Sequence, residues 1–210
     1  MKVLVIGAAG KTGAAIVQQA LDRGHQVAAL VHHREKYDPP AGVEVFAGDA
    51  QNPSKVEQAV QGQDAVLDAL GGHFPWMTST LETNGARAVV DAMRSTGVRR
   101  LLIVSTIGEG DSAANVHGWY GHLFMSTLLR GAMRDKAGME DVISHADDLD
   151  WTIVRPSGLH DNDAQGRIHV VSPESGEKVR FIARADVATF MLDELERGQY
   201  IHQAVGITNT

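Results

Sequence analysis

The 210-residue chain is predicted to form an α/β domain in which a doubly wound, mostly parallel sheet carries helices on both faces. Three observations predict this class. Apolar runs of strand length alternate with amphipathic runs of helix length along the chain. The first apolar run, 2–6, passes through glycines at Gly7, Gly10 and Gly13 directly into a helical pattern. Residues 1–31 then complete a βαβ unit, which predicts a single Rossmann-type domain over 1–210.

The elements of the N-terminal half follow in order. Run 2–6 lacks polar alternation, which is typical of a strand covered on both faces. The helix opened by Lys11 is predicted to end near Arg23, because Gly24 supplies a stop signal. Pro53 stands at an early helical position and opens the next helix. Further strands are predicted at 26–31, 43–46 and 65–70, and helices at 11–23, 53–60 and 81–96.

The C-terminal half continues the alternation. Strands are predicted at 98–106, 151–156 and 204–207, and helices at 119–145 and 185–197. The long helix is predicted to break near Gly138, and Asp186 is predicted to interact with the start of the last helix. Residues 157–180 are the least periodic part of the chain and are predicted to form a small C-terminal cap over the pocket.

The composition excludes several function classes. A formal net charge of -7 argues against a nucleic-acid or anionic-membrane partner. The absence of cysteine excludes disulfides and a cysteine nucleophile, and no ligand spacing predicts a metal site. Neither a targeting segment nor a membrane-spanning run is evident in the sequence. We therefore expect a cytoplasmic monomer or homodimer that acts on a small molecule.

The glycine turn predicts an anion site. Gly7 suits a tight turn, Gly10 lets backbone approach a ligand, and Gly13 lets the helix lie close to the sheet. Free N–H groups at the start of the helix would face an anion, most simply the pyrophosphate of a dinucleotide.

The residues after the second strand predict which coenzyme is preferred. An acidic residue here would accept from a ribose 2′-hydroxyl and repel a 2′-phosphate. The chain has His32, His33, Arg34, Glu35 and Lys36 instead, which favours NADP(H), with NAD(H) possible. The alternative is a solvated loop in which Glu35 weakens the positive field.

Other strand ends carry candidate ligand contacts. Asp49 could accept from an adenine amino group, or could start a turn. The pair Gly71-Gly72 would give a ligand close access to backbone. Ser105 and Thr106 place hydroxyls at a strand end, where a local hydrogen bond is the alternative to a role in substrate binding.

Several motifs occur in the order of a known group: 7–13, 48–50, 70–72, 104–106, 149–156 and 184–188. Together they resemble the atypical short-chain dehydrogenase/reductases, specifically the NAD(P)H-binding group that includes biliverdin reductase B/flavin reductase. The resemblance covers nearly the whole chain. Its most specific part is the stretch 149–156, Leu-Asp-Trp-Thr-Ile-Val-Arg-Pro.

This resemblance implies roles for individual residues. It places Asp49 and Ala50 at the adenine, and Pro156 and Ser157 beside the nicotinamide carboxamide. The ribose near the nicotinamide would lie on Leu70, Gly71 and Gly72. The pyrophosphate would be held by Gly7, Ala9, Gly10, Lys11, Thr12 and Gly13.

In one position the chain departs from the resemblance. Members of the group commonly carry Arg just after strand two, where this chain has His32. Arg34 or Lys36 would then take the role of that arginine in the coenzyme preference.

The Tyr-x-x-x-Lys pair of the wider superfamily is absent, since Lys136 follows Ala132. This agrees with the flavin reductase-like group, in which hydride transfer would depend on positioning. Thr106 aligns with that group's active-site hydroxyl, and Ser105 is adjacent and is expected to contact both coenzyme and substrate.

Two loops, 73–77 and 117–120, are expected to flank the nicotinamide. Their aromatic residues suit a flat conjugated substrate, although Phe74 and Trp76 could instead cover the sheet edge as core. The residues concerned are Phe74, Trp76, Trp119 and Tyr120. His73, His117 and His122 are candidate proton donors, although any one of ten histidines is more often a surface residue.

The leading hypothesis is an NADPH-dependent reductase that passes hydride to a planar acceptor such as flavin, quinone or a biliverdin-like compound. The alternative from another class is a non-catalytic redox sensor resembling the NmrA-like regulators, which the missing tyrosine favours. A ketoreductase or epimerase of a specialised pathway would need a proton donor that the sequence does not reveal.

Overall fold

The computed structural model describes residues 1–71, 79–108, 130–171, 177 and 179–210. The strands are β1 Lys2–Ile6, β2 Gln26–Val31, β3 Glu44–Ala47, β4 Ala65–Asp68, β5 Arg100–Val104, β6 Asp150–Pro156, β7 Leu159–His160, β8 Ile168–Val171, β9 Ile182–Ala183 and β10 Gln203–Asn209. The helices are α1 Lys11–Asp22, α2 Pro53–Val60, α3 Leu81–Thr96, α4 Arg130–Ser144 and α5 Arg184–Arg197, with a 3-10 turn at Arg34–Lys36. None of the helices in these ranges is long and apolar enough to cross a bilayer.

Eight strands form one sheet in the order β3-β2-β1-β4-β5-β6-β10-β8. All neighbours are parallel except β8, which runs antiparallel to β10 at the edge. The chain leaves β1 towards β2 and β3, then returns to the other side of β1 to add β4, β5 and β6. The predicted doubly wound fold is confirmed, with its switch point between β1 and β4.

The helices cover both faces of this sheet. Leu4 and Ile6 of β1 belong to a core packed with residues of α2, α3 and α4. Val3 and Val5 belong to a second core packed with residues of α1 and α5. Because alternate residues of the strand meet different helices, the run has to be apolar throughout.

Two predicted strands are shorter in the structure. β4 ends at Asp68, two residues early, because Asp68 Oδ1 accepts a hydrogen bond from the N–H of Leu70 at 2.8 Å and turns the chain. β5 ends at Val104, so Ser105 and Thr106 stand just beyond it.

Helix α4 does not break at Gly138, contrary to the prediction. A Cβ at that position would come within 2.5 Å of Thr83 Oγ1, so the glycine allows close packing of α4 against α3. One turn earlier, the Asp135 carboxylate accepts from the N–H groups of Glu82 and Thr83 at 3.1 and 2.9 Å. α4 therefore caps the start of α3, a contact between distant parts of the chain.

The segment predicted as a cap, 157–180, is partly sheet, since its strand β8 extends the main sheet and β7 pairs with β9. Whether the segment covers a substrate stays a prediction. Asp186 lies in the first turn of α5, the helix start with which it was predicted to interact. It is fully buried and accepts from the N–H groups of Gln165 and Gly166 and from Asn209. It ties the segment to α5 and β10.

Candidate functional site

The glycine turn lies at the switch point, where a crevice opens beyond the carboxyl ends of β1 and β4. Gly7 has a φ of +74°, and a Cβ there would lie 2.7 Å from the carbonyl oxygen of Ala69 after β4. A Cβ on Gly13 would lie 2.2 Å from the carbonyl oxygen of Gly7. Neither position has room for a side chain, so β1, the turn and α1 are held in close contact.

Within the described residues, no side chain accepts from the N–H groups in the first turn of α1. Its N-cap is Gly10, which makes no side-chain cap, and the turn contains no acidic residue. By contrast, Asn52 caps α2 by accepting from the N–H groups of Ser54 and Lys55. An uncapped helix start at the switch point is a favourable place for a phosphate group.

A carboxylate lies beside this helix start. Asp161, just after β7, forms ion pairs with both Lys11 of α1 and Arg184 of α5. The hydrogen bond from Lys11, together with the positive charge of Arg184, lowers the pKa of Asp161. Lys11 therefore already has an anionic partner, and it would have to exchange or share that partner to contact a pyrophosphate.

The basic segment after β2 is exposed from His32 to Lys36. Arg34 donates to the carbonyl oxygen of Tyr37 at 3.0 Å, within the 3-10 turn, while His33 pairs with Glu35 at 3.2 Å. Glu35 is thus paired with a neighbouring histidine, whereas the charged Arg34 side chain is exposed to solvent.

The ends of β3 and β4 carry the residues predicted for adenine and ribose. Asp49 Oδ1 accepts from the N–H of Gln51 at 2.9 Å, so Asp49 does start a turn, and its role at an adenine stays a prediction. Ala50 is buried, and Leu70 packs on the same core. A Cβ on Gly71 would meet no atom of the described residues within 4 Å.

The ends of β5 and β6 lie next to each other. Ser105 is 3% exposed, and its hydroxyl has no hydrogen-bond partner among the described residues. Among the described residues, the Thr106 hydroxyl donates to the neighbouring carbonyl of Ile107, at 3.3 Å. Pro156 is buried, while Ser157 faces Thr208 with 3.3 Å between their hydroxyl oxygens. Ser105 thus has hydrogen-bonding capacity that no described residue uses.

Sequence reasoning missed a buried polar cluster beneath this edge. Asp68, at the end of β4, is 1% exposed, and burial raises its pKa to about 7. Nearby, Lys136 of α4 pairs with Glu82 of α3 at 2.7 Å. The one signal available was a carboxylate at the end of the otherwise apolar run 65–70. Lys136, the lysine of the incomplete Tyr-x-x-x-Lys pattern, is thus held in an ion pair.

Arg155, next to Pro156, is held by a second buried ion pair. Its Nε and Nη2 donate to the two carboxylate oxygens of Glu140 at 3.0 and 2.6 Å. Such a bidentate pair fixes geometry as well as charge, so α4 is tied to the end of β6.

Part of the predicted site lies outside the described residues. The predicted site residues that the structure does not describe are Gly72 of the ribose contact, the candidate proton donors His73, His117 and His122, and the aromatic residues Phe74, Trp76, Trp119 and Tyr120. Their predicted roles stay predictions.

The parallel sheet, its switch-point crevice and the uncapped α1 define a Rossmann-fold dinucleotide-binding protein. Residues 7–197 match the family model described as NAD(P)H-binding, and the chain belongs to that family. The chloroplastic protein At2g34460 of Arabidopsis thaliana is 32% identical over 207 residues, which cover 92% of this chain and 71% of that protein.

Solved structures agree with the family. ChuY of Escherichia coli O157:H7, an anaerobillin reductase, has a TM-score of 0.80 and 26% identity, covering 100% of this chain and 97% of that one. A candidate NADH-flavin reductase of Streptococcus pneumoniae TIGR4 has a TM-score of 0.77 and 25% identity, covering 100% of both chains. The predicted resemblance and the enzyme class, an NAD(P)H-dependent reductase, are confirmed.

Proposed function

We propose that the protein is an NADPH-dependent reductase that transfers hydride to a planar conjugated acceptor such as a flavin, a quinone or a biliverdin-like compound. Binding of the dinucleotide is supported by the uncapped start of α1 at the switch-point crevice, where Gly7 and Gly13 have no room for side chains. The similarity to ChuY and to the candidate flavin reductase supports a planar acceptor.

The chain's own residues would act by placing the reactants. The α1 N–H groups would hold the pyrophosphate, and Pro156 and Ser157 would border the carboxamide. The nicotinamide, when bound, supplies a hydride. Ser105 and Thr106 would orient the acceptor through their hydroxyls, because neither has a strong partner within the described ranges. The proton that completes the reduction would come from water or another side chain.

A substitution at Arg34 tests the preference for NADPH over NADH. Arg34→Gln is expected to weaken NADPH binding about tenfold and to leave NADH binding nearly unchanged, because a charged hydrogen bond to the 2′-phosphate is lost. Titration of both coenzymes by tryptophan fluorescence measures this. Lys2→Gln, at the exposed amino end of β1 on the opposite edge of the sheet, is the control for the loss of one surface charge. Equal weakening of both coenzymes by Arg34→Gln would contradict the NADP(H) preference.

Turnover tests the reductase itself. NADPH oxidation is expected with free flavin or a quinone, and Thr106→Val is expected to lower kcat at least about tenfold by removing a hydroxyl that orients the acceptor. Thr106→Ser keeps the hydroxyl and should retain most activity. Coenzyme binding without turnover for any acceptor in a panel of flavins, quinones and linear tetrapyrroles would instead favour the non-catalytic sensor.

A further inference from the structure

Phe181 is an exposed aromatic residue at the carboxyl edge of the sheet. It is 67% exposed, although phenylalanine is normally buried. It stands one residue before β9, and its ring lies against Gly158. A Cβ built on Gly158 would come within 2.6 Å of Cε1 of that ring. Because Gly158 directly follows Ser157, the ring lies beside the end of β6, where the nicotinamide is proposed to bind.

The backbone around Phe181 is fixed on both sides. The N–H of Arg180 donates to Thr208 Oγ1 at 2.8 Å, and the same hydroxyl donates back to the Arg180 carbonyl. The N–H of Ile182 donates to the carbonyl oxygen of Gly158 at 2.8 Å. The ring is therefore held out from a rigid backbone, so little additional ordering is needed when it contacts a ligand.

The position of Phe181 differs from that of the other exposed large apolar residues. In the described ranges these are Met1 and Ile201, which precede β1 and β10. Both strands are parallel to β6, so Met1 and Ile201 lie at the opposite, amino edge of the sheet. Of these three described residues, Phe181 is the one at the edge where the coenzyme is proposed to bind.

We infer that Phe181 is a substrate-binding residue whose exposed ring face stacks on the planar acceptor. This inference rests on the proposed reductase function, because that function puts a conjugated ring system beside the end of β6. Offset stacking of two aromatic systems removes apolar surface from water and adds a favourable ring–ring interaction. Gly158 has no side chain, which lets the phenylalanine ring lie against the backbone, and most of the residue's surface remains exposed to an acceptor.

Steady-state kinetics with FMN and NADPH test the inference. Phe181→Ala is expected to raise the KM for FMN about tenfold and to leave the KM for NADPH unchanged. Phe181→Tyr keeps the ring and should stay within about twofold of wild type. Ile201→Ala removes an exposed apolar side chain at the opposite edge and serves as the matched control, with no change expected.

Several results would overturn the inference. An unchanged KM for FMN in Phe181→Ala would do so, as would an equal rise in both KM values or a loss of folding, since these indicate a structural role. If wild type shows no turnover, FMN binding to the NADP⁺-loaded protein is measured by flavin fluorescence. Binding that weakens in Phe181→Ala supports the stacking role while the reductase proposal fails. No FMN binding by wild type overturns the stacking role, and the reductase proposal is then decided by turnover with quinones and linear tetrapyrroles.

Discussion

Gly13→Ala is expected to lower the free energy of unfolding by about 3 kcal/mol and to weaken coenzyme binding about 100-fold. The added Cβ would stand 2.2 Å from the Gly7 carbonyl oxygen and 2.9 Å from Ala8 Cα. These are backbone atoms, so no rotamer change relieves the contact. The turn and α1 must separate by about 1 Å, which moves the N–H groups proposed to hold the pyrophosphate.

Urea unfolding and coenzyme titration measure the two effects separately. Gly71→Ala is the companion variant, because a Cβ there meets no atom within 4 Å in the part of the chain that the structure describes. It should unfold like wild type, and any loss of coenzyme affinity would then come from contact with the ligand. Wild-type stability together with wild-type affinity in Gly13→Ala would refute the close packing of α1 on the glycine turn.

Asp68→Asn is expected to stabilise the protein at neutral and alkaline pH. Asp68 is buried, and burial raises its pKa to about 7, against the lowering by the N–H of Leu70. In the unfolded chain this carboxyl ionises near pH 4. Between these two values the folded state holds a proton that the unfolded state has lost, so this group makes stability fall as pH rises.

The asparagine removes this proton uptake and keeps an oxygen that can accept from Leu70. The gain of the variant over wild type should be small at pH 4 and grow through pH 7, to about 4 kcal/mol at most. Urea unfolding at several pH values measures it. Asp38→Asn, at an exposed carboxyl, controls for the loss of one charge. A stability difference that does not change with pH would disprove the raised pKa of Asp68.

The fold could be predicted because its main signals, strand periodicity and glycine spacing, lie in residues that are adjacent in the chain. Gly7, Gly10 and Gly13 follow a buried strand at the spacing of a dinucleotide turn, and the structure has α1 beginning at Lys11. Prediction was wrong where a residue's role depends on a distant partner. Gly138 suggested a broken helix, but it packs against Thr83 of α3.

The same distinction applies to the candidate site. Residues at strand ends could be located, because parallel strands bring their carboxyl ends to one edge. Asp161 carries no motif, yet it pairs with Lys11, which is 150 residues away in the chain. Phe181 lies in an aperiodic segment, and its exposure and contact with Gly158 are visible only once that segment is folded.

The sequence by itself determined the class of fold, the family and the position of the phosphate turn, since strand periodicity and glycine spacing are properties of adjacent residues. Only the tertiary structure decided which charges are paired and which side chains are buried. The raised pKa of Asp68 and the exposed ring of Phe181 both depend on how completely distant elements cover a residue. The local pattern around these two residues does not encode their burial, because it depends on the packing of the whole chain.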